Sequence, residues 1–234
     1  MSTVLITGAN RGLGLEFARQ YAADGWDVVA TCRDPEKSED LQQLRKKNNK
    51  ASLHTLDVAS GKSVAALAHA LGGRPVDLLI LNSAIYSRKG NKIGEIDYEA
   101  WRQANETNLM GAVRVAEALL ENVVAGKRKQ IAAISTGMAS MQALKSTFGF
   151  GAVYQYRTSK VALNMAMSIL AKELEPRGIS VVIFDPGWVQ TDMGGANAAL
   201  TPQESIGGMR RVLAGDSMSL TGRFVGYDGA TRPW

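Results

Sequence analysis

The chain has 234 residues, 45% hydrophobic and 21% charged, enough to bury a core in one α/β unit without disulfide or metal staples. No stretch approaches the roughly 20 apolar residues of a membrane span, the start Met1-Ser2-Thr3-Val4 has no basic or long apolar leader, and the lone Cys32 excludes an internal disulfide; a soluble, cytoplasmic protein with no membrane partner is expected. The formal charge of +5 is interleaved with acids, and its densest run, Arg45-Lys46-Lys47-Asn48-Asn49-Lys50, reads as the charged end of a surface helix, which argues against nucleic acid and suits a small phosphate-bearing ligand.

In chain order, β-rich apolar runs fall at 3–7, 27–32, 52–56, 76–82, 130–135, 179–184 and 223–226, each apolar enough to be covered on both sides. Helical periodicity fills the gaps at 12–24, 36–47, 61–71, 98–126, 154–175 and 202–214. Punctuation agrees: Gly25 follows the first helix, Ser60 stands at the cap of the third, and Pro176 and Gly178 close the fifth. No linker, repeat or low-complexity tract interrupts the alternation. The expectation is one domain over 1–234, an α/β, Rossmann-like doubly wound parallel sheet of about seven strands with helices on both faces and ligands at the strands' carboxyl ends.

The first strand runs into Thr7-Gly8-Ala9-Asn10-Arg11-Gly12-Leu13-Gly14 and then into an amphipathic helix. Glycine permits the tight turn and the close approach of backbone to a pyrophosphate, while free N–H groups at the helix start attract its charge. A glycine-rich turn alone means little, but this one sits at the first strand–helix junction of a correctly alternating chain. Its spacing is T-G-x-x-x-G-x-G, and Tyr156-Arg157-Thr158-Ser159-Lys160 follows downstream at the head of a helix. On these motifs, and on Pro186-Gly187-Trp188-Val189-Gln190-Thr191-Asp192-Met193-Gly194-Gly195 and the ending Gly222-Arg223-Phe224-Val225-Gly226-Tyr227-Asp228-Gly229, the chain resembles the short-chain dehydrogenase/reductase family over nearly its whole length, most of all C-factor and the sniffer-type carbonyl reductases.

The end of the second strand, Thr31-Cys32-Arg33-Asp34-Pro35, lacks the acid that would hold the ribose hydroxyls of NAD, since Cys32 stands there. Arg33, with Arg11 in the glycine loop, offers guanidinium groups for a 2′-phosphate, which favours NADP(H) over NAD(H). The resemblance places Asp57 and Val58 on the adenine side. Asp57 is equally readable as the acid at a helix start. Asn82-Ser83-Ala84 stand where relatives carry N-N-A-G.

Tyr156 and Lys160, four apart, share a helix face. An ammonium about 4 Å from the phenol at an effective dielectric of about 20 would contribute about 4 kcal/mol, roughly three pKa units, and bring it near working pH. By chance a Y-x-x-x-K occurs in many chains of this length, so its placement after a strand ending Ile134-Ser135-Thr136 carries the weight. The family's usual run is I-S-S, which puts Thr136 in the active position; either its hydroxyl replaces that serine or Ser135 serves instead. By resemblance Asn108 is the helix-four asparagine whose backbone carbonyl holds a water linked to the lysine, though a satisfied buried amide would look the same. Pro186, Gly187, Val189 and Thr191 match the segment that cradles nicotinamide.

The long Thr136–Tyr156 interval carries Met138, Met141, Phe148 and Phe150, readable as a substrate-facing loop or as core, and Tyr86, Met138, Trp188 and Met193 are the expected apolar pocket. No metal is expected, His54 and His69 standing alone. The resemblance implies a hydride exchange between nicotinamide and a small carbonyl or alcohol, with Tyr156 as acid/base. It also implies a homodimer or homotetramer paired through the fourth and fifth helices, where Met165, Met167, Ile169 and Leu170 face a partner or the sheet. The second reading is a non-enzymatic or NADPH-sensing signalling protein on the same fold.

Overall fold

The computed structural model describes residues 2–87 and 92–234. Seven strands, β1 (Thr3–Thr7), β2 (Asp27–Cys32), β3 (Ala51–Thr55), β4 (Leu78–Leu81), β5 (Gln130–Ile134), β6 (Ser180–Asp185) and β7 (Phe224–Gly226), form one sheet in the order β3-β2-β1-β4-β5-β6-β7. Every pair is parallel, Val4 lying opposite both Val28 and Leu78. The chain winds outward from β1 to β3, returns to β4, and winds the other way. The switch point between β1 and β4 is where such sheets leave a crevice at the strands' carboxyl ends.

The period of two along each strand sorts the apolar residues onto two cores. Leu5, Val29, Leu79 and Ile131 pack beneath α3 (Gly61–Leu71), α5 (Gly111–Ala118), α6 (Leu120–Ala125) and α8 (Tyr154–Leu174). Val4, Ile6, Val28, Ala30 and Ile80 pack beneath α1 (Gly12–Ala23), α2 (Glu39–Lys47) and α9 (Pro202–Ala214). Both faces are therefore covered, as the unbroken apolar strand runs require. Burying each such aliphatic side chain contributes about 1.5–3 kcal/mol.

Helix starts follow their capping residues. Ser60 Oγ accepts the Ser63 N–H at 3.3 Å ahead of α3, and Thr201 and Glu204 close a reciprocal capping box around Pro202 at the head of α9. The expected helix over 98–126 is instead four pieces: α4 (Tyr98–Asn105), a π-helical turn Glu106–Met110, α5, and α6 beyond a break at Leu119. A Cβ on Gly111 would lie 2.8 Å from Val58 Cγ2, so the widened turn brings backbone against the end of β3 as a side chain could not. The expected helix at 36–47 opens as a 3₁₀ turn, Pro35–Lys37, because the proline fits a first turn and α2 begins only at Glu39.

On α8, Leu163, Met167, Ala171 and Leu174 face the sheet while Met165 and Ile169 point outward and are exposed. The four apolar residues grouped in the sequence thus divide between faces, as a period of 3.6 dictates. Among the described residues no helix is long and apolar enough to cross a membrane.

Candidate active site

The glycine loop folds over the carboxyl ends of β1 and β4. Gly8 and Gly12 have φ of +67° and +55°, which side-chain-bearing residues rarely adopt. Gly14 is required for space: a Cβ there would overlap the Gly8 carbonyl oxygen and lie 2.6 Å from Asn82 Nδ2. Thr7 is the hinge of this packing, its hydroxyl accepting the N–H groups of Asn82 at 2.9 Å and Ser83 at 3.0 Å. Asn82 Nδ2 in turn donates to the carbonyls of Thr7 and Gly8. The departure Asn82-Ser83-Ala84 is therefore accommodated in place.

Asn10 is half-buried in the loop, and Leu13 packs onto the core beneath α1. The first turn of α1 has no side-chain cap and no acidic residue, so its N–H groups and its positive dipole end are available to an anion. The loop fits a pyrophosphate.

Arg11 has a partner across the site. Its Nη1 donates to Asp192 Oδ2 at 2.8 Å, spanning from the glycine loop to the segment after β6 beside a cleft of about 240 Å³. Arg33 is exposed at the end of β2 and enters no ion pair among the described residues, while its neighbour Asp34 is paired with Lys37 at 2.6 Å. Cys32 is buried beneath it, and burial pushes its thiol up. Asp57 is exposed, folding back to accept the Ala59 N–H, whereas Val58 is buried and its carbonyl is held by Arg114.

At the end of β5 the two hydroxyls part. Ser135 is buried and donates to Asn164 Oδ1 on α8 at 2.5 Å; the Thr136 hydroxyl hydrogen-bonds the Tyr156 phenol and accepts the Met138 N–H. Tyr156 is also crossed edge-on by the Tyr86 ring, 5.1 Å between centroids. Lys160 lies on the same face of α8, 6.0 Å from the Tyr156 ring, with Nζ donating to the Ile134 carbonyl at 2.7 Å. Burial lowers the Lys160 ammonium to about 7 and pushes the Tyr156 hydroxyl above the ordinary phenol value, with Thr136 holding it down and Asp185 and Tyr86 raising it further. The expected charge-tuned phenol is not what the chain alone produces, because desolvation disfavours both charged forms and the ammonium is engaged by a carbonyl.

Asn108 is fully buried in the π turn. Its amide accepts the Ile85 N–H, donates to the Ile85 carbonyl at 3.0 Å and to Ser159 Oγ at 3.0 Å, so it ties the segment after β4 to α8. After β6, Pro186 is buried and Gly187 has φ +77°, where a Cβ would strike Leu200 and the Tyr227 ring. Val189 bridges to Leu200 and Thr191 Oγ1 accepts the Gly194 N–H, closing the segment into a rigid turn beside the glycine loop.

Residues 2–200 match the family described as short chain dehydrogenase. The chain belongs to that family. C-signal of Myxococcus xanthus is 38% identical to this short-chain dehydrogenase over 160 residues, 68% of this chain and 93% of that protein. The NADPH-bound carbonyl reductase from chicken fatty liver superposes with a TM-score of 0.94 at 32% identity, covering 100% of this chain and 99% of that one. The carbonyl reductase Sniffer of D. melanogaster does so with 0.90 at 28% identity, covering all of both.

Two further side chains organise this dehydrogenase's site without having been singled out in the sequence. Arg157 is a buried cation with no carboxylate partner among the described residues: Nε donates to the Gly151 carbonyl, Nη1 to the Met138 carbonyl and Thr147 Oγ1, and Nη2 to the Thr147 carbonyl at 2.6 Å. It fixes the loop between Thr136 and Tyr156, which includes α7 (Leu144–Thr147) and exposes Met141, Phe148 and Phe150, so these are not core. Phe150 meets Trp188 edge-on at 5.4 Å. Met193 is exposed on the same segment as Trp188, and Tyr86 lines a second small cleft with Tyr156. The second missed residue is Asp185, a buried acid at the tip of β6. The signals were local for Arg157, inside Y-R-T-S-K, and for Asp185, before Pro186-Gly187.

Proposed function

We propose that this chain is an NADP(H)-preferring oxidoreductase that passes a hydride between nicotinamide and a small apolar carbonyl or alcohol, with Tyr156 as general acid/base. The observation that carries this reading is the junction of Thr136, Tyr156 and Lys160 at the end of β5, beside a glycine loop with an uncapped helix start. The relatives named for carbonyl reduction, one of them NADPH-bound, support the same reaction class.

Gly8, Asn10, Gly12, Leu13 and Gly14 would hold the pyrophosphate on backbone N–H groups. Arg33, with Arg11 once its pairing to Asp192 is shared, would hold the 2′-phosphate. Asp57 and Val58 bound the adenine side, Asn82, Ser83 and Ala84 the middle, and Pro186, Gly187, Val189 and Thr191 the nicotinamide end. Bound NADPH supplies the hydride for the carbonyl carbon, and the proton is left to the chain. Thr136 and Tyr156 hold the carbonyl oxygen, Tyr156 gives it the phenolic proton, and Lys160 grips the ribose and takes part in returning that proton. Asn108 holds the segment after β4 against α8, and its backbone carbonyl would hold a water linked to Lys160, as the family resemblance implies. The exposed Met165 and Ile169 fit a homodimer or homotetramer built on α8.

Two measurements test this. NADPH is expected to bind more tightly than NADH by intrinsic fluorescence titration, and Arg33→Ala is expected to weaken NADPH by about 10–100-fold while leaving NADH nearly unchanged, the loss of one charge-assisted phosphate contact. Equal binding of both nucleotides by the wild type would overturn the preference. In a carbonyl panel followed by NADPH absorbance, Thr136→Ala is expected to cut kcat at least about 10-fold with Thr136→Ser largely restoring it. Ser135→Ala should instead cost about 1–3 kcal/mol of stability by leaving the Asn164 carbonyl oxygen unpaired, with turnover kept. The reverse pattern would make Ser135 the substrate's hydroxyl. The likeness to C-signal supports the second reading, a signalling protein, and NADPH binding without turnover of any carbonyl would favour it.

A further inference from the structure

Asp185 ends β6 with a side chain only 13% exposed, and its two oxygens face different elements. Oδ1 accepts the N–H groups of Gly137 at 2.8 Å and Gly187 at 3.2 Å, the residues directly after Thr136 and Pro186. Oδ2 accepts Arg232 Nε at 3.2 Å. A Cβ on Gly137 would lie 3.2 Å from Oδ2, so glycine is what lets this turn close on the carboxylate.

Arg232 lies 47 residues downstream, beyond β7. Gly229, with φ +84°, turns the segment after β7 back on itself, so that Thr231 bridges Val225 and Arg232 N–H donates to the Phe224 carbonyl at 2.8 Å. Gly226 leaves room for the guanidinium, since a Cβ there would overlap Arg232 Nη2, and Asp228 accepts that Nη2 at 3.1 Å. Two residues on, the Trp234 carbonyl accepts Gln142 N–H and Ser140 Oγ–H from the loop that Thr136 begins, while its ring stacks on Phe224.

We propose that Asp185 and Arg232 are positioning residues for the reaction: a charge-compensated clasp that holds Thr136 against Tyr156 and sets the pH range over which the phenol exchanges its proton. This rests on the acid/base reading of Tyr156. The groups facing that phenol are Lys160 on its own helix, Tyr86 from the segment after β4, Thr136 from β5 and Asp185 from β6, with Arg232 behind Asp185 and Arg157 turned away into the loop. The Asp185 charge disfavours the phenolate, and the Arg232 guanidinium, which it shares with Asp228, offsets it in part, so the pair anchors Gly137 with less charge beside the phenol than a bare carboxylate would impose. A purely structural pair would hold the loop equally well but would leave the titration where it is when one member is removed.

The experiment is the pH profile of kcat for NADPH-dependent reduction of 4-nitrobenzaldehyde, or of the carbonyl that the wild type reduces fastest, in Asp185→Asn, Arg232→Gln and the double variant, with Tyr156→Phe in parallel. Reduction needs the protonated phenol, so activity falls as pH rises through the apparent value, which belongs to Tyr156 and Lys160 together. Arg232→Gln leaves Asp185 uncompensated and is expected to move that fall upward by about half a pH unit or more. Asp185→Asn keeps an amide oxygen for Gly137 and is expected to move it downward by a similar amount, while the double variant returns close to the wild type. Arg232→Lys, which keeps the charge, should leave the midpoint in place, and where Arg232→Gln does not fold the downward move in Asp185→Asn carries the test.

Midpoints that stay put in Asp185→Asn and Arg232→Gln, or that move in the same direction, overturn the clasp's electrostatic role even if KM and thermal stability suffer. An inactive Tyr156→Phe with unmoved midpoints sinks the clasp alone. An active Tyr156→Phe sinks the acid/base reading, and the clasp with it.

Discussion

Tyr156→Phe is expected to lower kcat for carbonyl reduction by about 10²–10⁴-fold, the range for removing a positioned general acid, with NADPH affinity within a few-fold of wild type. The substitution deletes one oxygen from a buried ring whose shape is otherwise kept by the Tyr86 contact and the packing of α8. The hydroxyl lost is the partner of Thr136, which is free to bond a substrate oxygen instead, so stability should change little. Single-turnover reduction at saturating NADPH checks this directly. Retained turnover would mean that the proton comes from elsewhere, and Lys160, buried with a value lowered to about 7, would become the next candidate.

Gly14→Ala is the second large effect, and it acts through space. The added methyl group would overlap the Gly8 carbonyl oxygen and crowd Asn82 Nδ2. The first is backbone, and the second is a side-chain amide pinned to the Thr7 and Gly8 carbonyls, so neither yields cheaply. Overpacking at such a site costs about 1–3 kcal/mol or more, which for a chain of this size lowers Tm by roughly 5–10 °C. NADPH binding should weaken at least about 10-fold, because α1 is pushed away from the strand end it must meet. Differential scanning calorimetry and fluorescence titration read the two effects separately. Tight NADPH binding by this variant would show that the loop is not the pyrophosphate site.

The fold was legible because its signals are short-range and repeated. Apolar runs too short for helices marked the strands, and glycine and proline marked their ends. The expected helix over 98–126 looks continuous in its periodicity because a π turn inserts a single extra residue and leaves the apolar pattern nearly intact. The site was legible in part for the same reason. Tyr156 and Lys160 share a face by helical spacing and Thr136 stands at a strand end, so each was legible locally, while the meeting of strand end and helix was left to the packing. Arg11 was legible as a loop residue but not in its partner, since Asp192 lies far away in sequence and reaches it only through the packing of β6 beside β5.

By itself, then, the sequence determined the sheet's parallel order of alternation, the glycine loop at its first junction, the tyrosine and lysine on one helix face, and the absence of an acid at the end of β2. Each depends on residues within a few positions of one another, where backbone geometry leaves little choice. The tertiary structure alone decided that Ser135 turns to Asn164 and Thr136 to Tyr156, that Asn108 locks Ile85 to Ser159, and that Arg232 closes on Asp185. It also decided the sign of the electrostatics at Tyr156 and Lys160. Burial depends on how every element packs, and in a medium that solvates charge poorly the loss of water outweighs a neighbouring charge that spacing alone would have placed in reach.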